Sequence, residues 1–214
     1  MNDHDRDVVT RAVAGIAATV GWSALLLQLW LSLDMTISDG RGIAAGLVAY
    51  FGYFTILTNL FAALALLVPL LAGTRAPGRW FACAGVSTTV ATAMAVVGIV
   101  YTLLLRQTWN PQGWQRVADI ALHDVMPVLF LVYWWFAVPR GALHWREIPR
   151  WCLYPLAYFA YALVRGALIG TYPYAFIDAA TLGYACVFAN ALGLLTGYAL
   201  IAALLVALKR NRPR

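Results

Sequence analysis

Six apolar runs separated by short polar connections dominate this sequence: Val8 to Leu33, Ile43 to Leu71, Trp80 to Leu105, Ile120 to Val138, Trp151 to Ile169 and Ala179 to Leu208. A helix needs about 20 mostly apolar residues to cross the hydrocarbon core of a bilayer. In that solvent every backbone polar group must be satisfied within the protein. The runs therefore predict an all-α fold, a bundle of six transmembrane helices forming one domain over residues 1–214. Nothing between them is long enough for a separate soluble domain. A composition of 63% hydrophobic and 11% charged residues agrees, being far from soluble averages. The 9 Trp and 11 Tyr suit a chain with many membrane-interface positions, where amphipathic rings settle at headgroup depth.

The net charge of +6 raises nucleic acid as a partner. The basic residues, however, stand singly or in pairs between apolar runs and form no continuous stripe, so no nucleic-acid partner is expected. They read instead as topology signals. Eleven Lys and Arg fall on the side that would hold both termini, and four, Arg41, Arg106, Arg116 and Arg165, on the other. The bias predicts cytoplasmic termini and a multi-pass protein of the cell's inner membrane. The opening "MNDHDRDV" is mixed in charge and leads into a run too long for a signal peptide, so it is expected to remain part of a membrane helix. The closing "LKRNRPR" reads as a positive-inside anchor. Cys83, Cys152 and Cys186 are odd in number and widely spaced, which suggests no disulfide framework,. His4, His123 and His144 fall on different parts of the topology, and HExxH, CxxC and phosphate-binding glycine patterns are absent,. Neither metal nor cofactor is expected.

The polar residues inside the apolar runs carry the functional information. "GYFTILTNLF", Gly52 to Phe61, places Thr55, Thr58 and Asn59 within one expected helix. The topology puts Thr55 roughly 15 Å below its outer end, with Asn59 one turn deeper. Threonine often bonds back to its own helix, but an asparagine amide cannot satisfy itself that way and reaches another helix or a ligand. Thr55 and Asn59, four apart, share a face. A hydroxyl with an amide one turn away suits a nucleophile with an oxyanion donor, and equally an ordinary interhelical bond.

His123 lies in the same outer half and suits a general base, a metal ligand, a proton shuttle or an interfacial histidine. Asp119, four residues earlier, reads first as an N-cap or first-turn acid for the fourth helix, and second as an orienter of the His123 imidazole. Arg165, Tyr172 and Asp178 flank the fifth connection. There Arg165 and Asp178 could close the outer mouth as an ion pair or hold a substrate carboxylate. Pro127 is expected to kink the fourth helix beside His123.

The segments "YFTILTNL", "LHDVMPVLF" and "YPLAYFAYALVRG" with "YPYAFID" resemble a prokaryotic family of six-helix integral membrane proteins. More distantly they resemble the eukaryotic androgen-induced and androgen-dependent transmembrane threonine hydrolases of fatty acid esters of hydroxy fatty acids. The resemblance implies a threonine nucleophile in the context "YFTIL", at Thr55, and a histidine base in "LHDVMPVLF", at His123. The proline stands one residue closer to the histidine than in the eukaryotic motif, and Asn59 stands where those proteins tend to have an acid, so Thr58 remains a rival nucleophile. The activity implied is hydrolysis of a lipid-like ester within the bilayer. Asn59, Thr58 or a loop tyrosine would assist the oxyanion or the substrate, and Arg165 would orient a carboxylate. The alternative is a transporter or lipid-binding protein that uses the same outer-half polar cavity.

Overall fold

The computed structural model describes residues 2–210; Arg212 and Arg214 of the basic tail lie outside them. The first element, α1 (Asp3–Ser38), is one helix of 36 residues. At 1.5 Å per residue it is about 54 Å long, well beyond a hydrocarbon core about 30 Å thick. Asn2 starts it, its side-chain oxygen accepting from the Asp5 N–H at 2.7 Å, one of the orphan donors that a helix start leaves.

The chain turns at residues 39–41, and α2 (Gly42–Tyr50) runs back along the end of α1. The Ser32 hydroxyl donates to Gly46 O at 3.1 Å and the Tyr50 hydroxyl to Leu25 O at 2.9 Å. After a break at Phe51, Gly52 and Tyr53 the helix resumes as α3 (Phe54–Ala72). The expected continuous helix from Ile43 to Leu71 is thus two helices. Next come α4 (Ala76–Ala82) and α5 (Ala84–Val100), which meet at Cys83 in extended conformation. A π-helical turn, Tyr101–Leu105, continues α5. A second π-turn, Ala121–Val125, joins α6 (Gly113–Ile120) to α7 (Met126–Ala137). Helices α8 (Ile148–Trp151), α9 (Leu153–Ile169) and α10 (Ala179–Lys209) follow, α10 bending at Gly183, whose φ of 74° suits glycine,.

Among the described residues, six helices are long and apolar enough to cross a membrane: His4–Ser38, Phe54–Ala72, Ala84–Leu105, Gly113–Ala137, Trp145–Ile169 and Ala179–Lys209. The fourth starts at Gly113, where Ile120 was expected. Its polar first turns are held by the bundle, Gln115 Nε2 donating to Gln28 Oε1 of α1 at 2.9 Å.

Why the second run breaks is answered by a later helix. Three carbonyls at the C-terminal end of α2 and in the break lack helical partners, and each is met from one face of α9. The Tyr158 hydroxyl donates to Gly52 O at 3.0 Å, the Tyr161 hydroxyl to Phe51 O at 3.2 Å and Arg165 Nη2 to Val48 O at 3.0 Å. Positions i, i+3 and i+7 lie along one helical stripe, so the row on α9 runs beside the break. Broken backbone among membrane spans is tolerated where the protein supplies such partners. Gly52 is required by the approach itself: a Cβ there would lie 2.9 Å from the Arg165 guanidinium carbon.

The main core gathers Leu66, Met94, Met126, Phe130, Trp134 and Tyr198 from α3, α5, α7 and α10. Alanines at 62, 63 and 65 of α3 and 91 and 93 of α5 are fully buried, letting backbones approach as small residues do in membrane bundles. Two polar contacts fix register: Trp134 Nε1 donates to Thr88 Oγ1 at 2.9 Å, and the Tyr198 hydroxyl to Thr89 O at 3.1 Å. Both chain ends meet the C-terminal end of α7. Arg6 Nε donates to Phe136 O at 2.8 Å, and the Lys209 ammonium bonds Trp135 O. They therefore share one end of the bundle.

Candidate functional site

The break before α3 determines the setting of Thr55. It is not a mid-helix residue but lies in the first turn of α3, 8% exposed. Tyr53, the N-cap, supplies no side-chain acceptor. The Tyr174 hydroxyl, from the connection before α10, accepts from the Thr55 N–H at 3.5 Å. Burial pushes the Tyr174 hydroxyl above its ordinary pKa, so it stays protonated and its own O–H remains a donor. Tyr50, which docks α2 on Leu25, lies roughly 20 Å along α1 from Ser38. Thr55 follows it closely in the chain, so it sits deep in the bundle, although a break and not a continuous helix brings it there.

Proline creates the setting of His123. Pro127 has no N–H, and its ring clashes with the carbonyl one helical turn back. The helix accommodates it by widening: the Met126 N–H bonds Ala121 O, five residues earlier. The next carbonyl, Leu122 O, would take its bond from the missing Pro127 N–H. Asn59 supplies the donor from α3, Nδ2 lying 3.2 Å from Leu122 O and 2.9 Å from Thr55 O. The kink expected at Pro127 is therefore a π-turn, of the kind that re-aims side chains at functional sites.

Within that turn His123 Nδ1 lies 2.9 Å from the Asp119 carbonyl and 3.2 Å from Asp119 Oδ1. A carbonyl only accepts, which assigns the proton to Nδ1 and leaves the lone pair on Nε2. Asp119 is buried in the second turn of α6 and caps nothing; the helix begins at Gly113. The expected cap is thus corrected: the earlier helix start carries the carboxylate inward, beside His123 and the turn that follows α5. Its other oxygen accepts from the Tyr101 hydroxyl. The Tyr101 ring stacks on the imidazole at 4.0 Å and 16°. Arg106 lies over the Tyr101 ring, 5.0 Å from its centroid, and pairs with Asp124. The two π-turns thus hold one assembly, Tyr101 from the first and His123 from the second, with Asp119 between them.

Two cavities meet at Thr55. One, about 370 Å³, is lined by Thr55, Tyr50, Gln28, Gln115, Asp119 and His123 among others. The other, about 430 Å³, is walled by apolar and aromatic side chains of α5, α9 and α10, including Val96, Leu156, Phe188 and Leu195. Thr55, Tyr101, Leu105 and Tyr174 line both. No hydrogen bond joins Thr55 to the imidazole among the described residues. Nucleophile and base contacts are often looser in a site without substrate.

The other expected residues lie elsewhere. Thr58 Oγ1 pairs with the Tyr154 hydroxyl at 3.0 Å, on the α9 side, and lines neither cavity. Asn59 is fully buried with both amide hydrogens committed to carbonyls. It is no free oxyanion donor but a brace between the first turn of α3 and the π-turn. Arg165 gives Nη1 to Thr171 O and Nη2 to Val48 O, while its Nε is buried without a partner among the described residues. Tyr172 packs on Gly166, where a Cβ would lie 2.1 Å from its ring. Asp178 is the N-cap of α10, accepting from the Ala180 and Thr181 N–H groups at 3.0 and 3.2 Å. Of the alternatives for Arg165 and Asp178, the ion pair does not form among the described residues: Arg165 donates to backbone carbonyls, and Asp178 accepts from the first amides of α10 and the Thr181 hydroxyl. The sequence reading missed Tyr101 and the Gln28–Gln115 pair, which looked like ordinary members of apolar runs and loops; of the loop tyrosines it considered, Tyr174 is the one beside Thr55. No group of three potential metal ligands converges among the described residues. Comparison with family models, with curated proteins and with solved structures finds no match to this chain.

Proposed function

We propose that the chain is an intramembrane hydrolase of lipid-like acyl esters, with Thr55 as nucleophile, His123 as general base and Asp119 as its orienter. The observation that carries this reading is the position of Thr55, on the shared wall of an apolar cavity and of the polar cavity that holds the Asp119-bound imidazole. An ester with one long acyl arm and a more polar arm fits that junction with its carbonyl at the threonine. The resemblance to threonine hydrolases of hydroxy-fatty-acid esters points the same way. The protein would work in the inner membrane with its termini cytoplasmic.

His123 Nε2 takes the proton of Thr55 Oγ1 as the oxygen attacks the ester carbonyl, forming the new C–O bond and a tetrahedral oxyanion. The Tyr174 O–H, beside Thr55 at the start of α3, would donate to that oxyanion. There the N-terminal end of the helix also favours negative charge. Collapse breaks the original ester C–O bond, and the imidazolium returns its proton to the departing alkoxide. Water, deprotonated by the same nitrogen, then hydrolyses the acyl-threonine and restores the free hydroxyl. Asp119 holds the Nδ1–H tautomer and stabilises the imidazolium throughout.

A fluorophosphonate probe on the purified protein tests this. It should label the wild type and Thr58→Val, and should not label Thr55→Val. Absence of labelling in the wild type, or labelling that survives Thr55→Val, refutes the assignment and favours binding or transport through the same cavities.

A further inference from the structure

At the end of the bundle where α1 begins and α10 ends, two cations, Arg6 and Lys209, meet the last turn of α7, and a third, Arg140, follows that turn in the chain. Lys209 is only 4% exposed, yet its ammonium bonds Trp135 O and lies 5.0 and 4.7 Å from the ring centroids of Trp134 and Trp135. Arg6 reaches the same turn from α1, Nε on Phe136 O at 2.8 Å and Nη2 on Val138 O at 3.1 Å. Arg140 follows two residues after Val138, and its neighbour Gly141 donates its N–H to Lys209 O at 2.8 Å. No carboxylate pairs with any of the three among the described residues; their ion pairs are Arg11–Asp7, Arg41–Asp39, Arg106–Asp124 and His123–Asp119.

The C-terminal dipoles of α7 and of α10, whose last turn carries Lys209, together offset about one elementary charge,, and the two indole faces add only a modest attraction for the ammonium. Three positive charges against those two dipoles still leave a local excess. A buried ammonium without a counter-ion is costly, and such groups are normally paired. Donors also remain free: the ammonium has three hydrogens and one acceptor, Trp135 O, and Arg6 Nη1 has no partner, among the described residues. Guanidinium forks and an ammonium around one point form the donor set that holds a phosphate group. The position, at a helix-bundle end beside exposed Trp135, is where basic pockets meet the phosphates of lipid headgroups,.

We infer that Arg6, Arg140 and Lys209 form a binding site for a phosphate monoanion or diester, supplied by an anionic phospholipid headgroup or by free phosphate. The site is separate from the Thr55 cavities and does not depend on the ester hydrolase reading.

The test measures the thermal transition of the full-length protein in phosphatidylcholine nanodiscs. It compares discs with added phosphatidylglycerol, discs with added inorganic phosphate, and discs in which a neutral diacylglycerol replaces the phosphatidylglycerol. The wild type should be stabilised by phosphatidylglycerol and not by diacylglycerol, with the shift at least halved in Arg140→Gln and in Arg6→Gln. Stabilisation by inorganic phosphate alone, equally lost in those variants, assigns the site to the free anion. Equal stabilisation by phosphatidylglycerol and diacylglycerol overturns the inference, as does a phosphatidylglycerol shift that survives unchanged in both variants. Arg140 is exposed, so its variant should fold; Lys209→Met serves as a third check that keeps an unbranched apolar stem and removes the charge.

Discussion

Asn59→Leu separates bracing from stability. The Asn59 amide joins Leu122 O, the carbonyl that Pro127 leaves without a helical donor, to Thr55 O, at 3.2 and 2.9 Å. Removing it orphans one buried carbonyl, which costs about 1–3 kcal/mol in protein interiors; interhelical side-chain bonds in membranes average about 0.6 kcal/mol. Thr55 O keeps the ordinary acceptor role of a helical carbonyl, so only Leu122 O is stranded. Against this loss, Asn59 Oδ1 is itself buried and unpartnered, and leucine of similar size removes that unsatisfied acceptor without opening a cavity. The two effects nearly offset, and the net change should stay within about 1 kcal/mol. At this chain length that corresponds to roughly 2–4 °C in the thermal transition. Reactivity should respond far more. The π-turn carrying His123 loses its tie to the helix carrying Thr55, and a misplacement of about 1 Å costs on the order of a hundredfold. The assay is the pseudo-first-order rate of fluorophosphonate labelling beside the melting curve in the same detergent. The expected result is a labelling rate at least tenfold lower with Tm within about 4 °C. Wild-type labelling in a protein of unchanged Tm would refute the bracing argument. A large Tm loss with normal labelling at low temperature would show that Asn59 serves only stability.

Two further outcomes follow from the geometry. In Asp119→Asn the Tyr101 hydroxyl and His123 Nδ1–H compete for a single amide oxygen, so the labelling rate should fall by about 10² to 10⁴ with little change in Tm; a fall of less than tenfold would remove Asp119 from the mechanism. The Thr181 hydroxyl and the first amides of α10 hold the Asp178 carboxyl below its ordinary pKa. The stability it lends is present above the usual carboxylate value of about 4 and is lost as pH falls through the lowered one. Melting curves of wild type and Asp178→Asn should therefore differ more at pH 6 than at pH 3, since asparagine keeps a neutral cap; a difference independent of pH would contradict the capping role.

Apolar length is a property of each segment alone, which is why the six spans could be read directly from the sequence. The break at Phe51 to Tyr53 could not, because its cause lies on another helix. Ile43 to Leu71 is apolar throughout, and only Tyr158, Tyr161 and Arg165, far along the chain, make those carbonyls safe to expose. Read on its own helix, Arg165 looked like a substrate or mouth residue; read against α2 it is a donor to a helix end. The misreading of Asp119 has a similar origin. A helix expected to begin at Ile120 makes the preceding acid a cap, whereas one beginning at Gly113 turns the same side chain toward Tyr101. An error of two helical turns in a boundary thus changed a residue's chemistry, because in a helix boundary and facing are the same information. Pro127 was legible as a disturbance, but its consequence was not, since the donor that replaces its missing N–H comes from Asn59. That exchange also explains why "GYFTILTNLF" carries an asparagine at all. The helix break leaves Thr55 at an open helix start, the proline leaves Leu122 O open across the cavity, and one amide reaches both. Thr55 and His123 are linked through that side chain before any substrate binds, while Thr58, one residue earlier on the same helix, is turned to Tyr154.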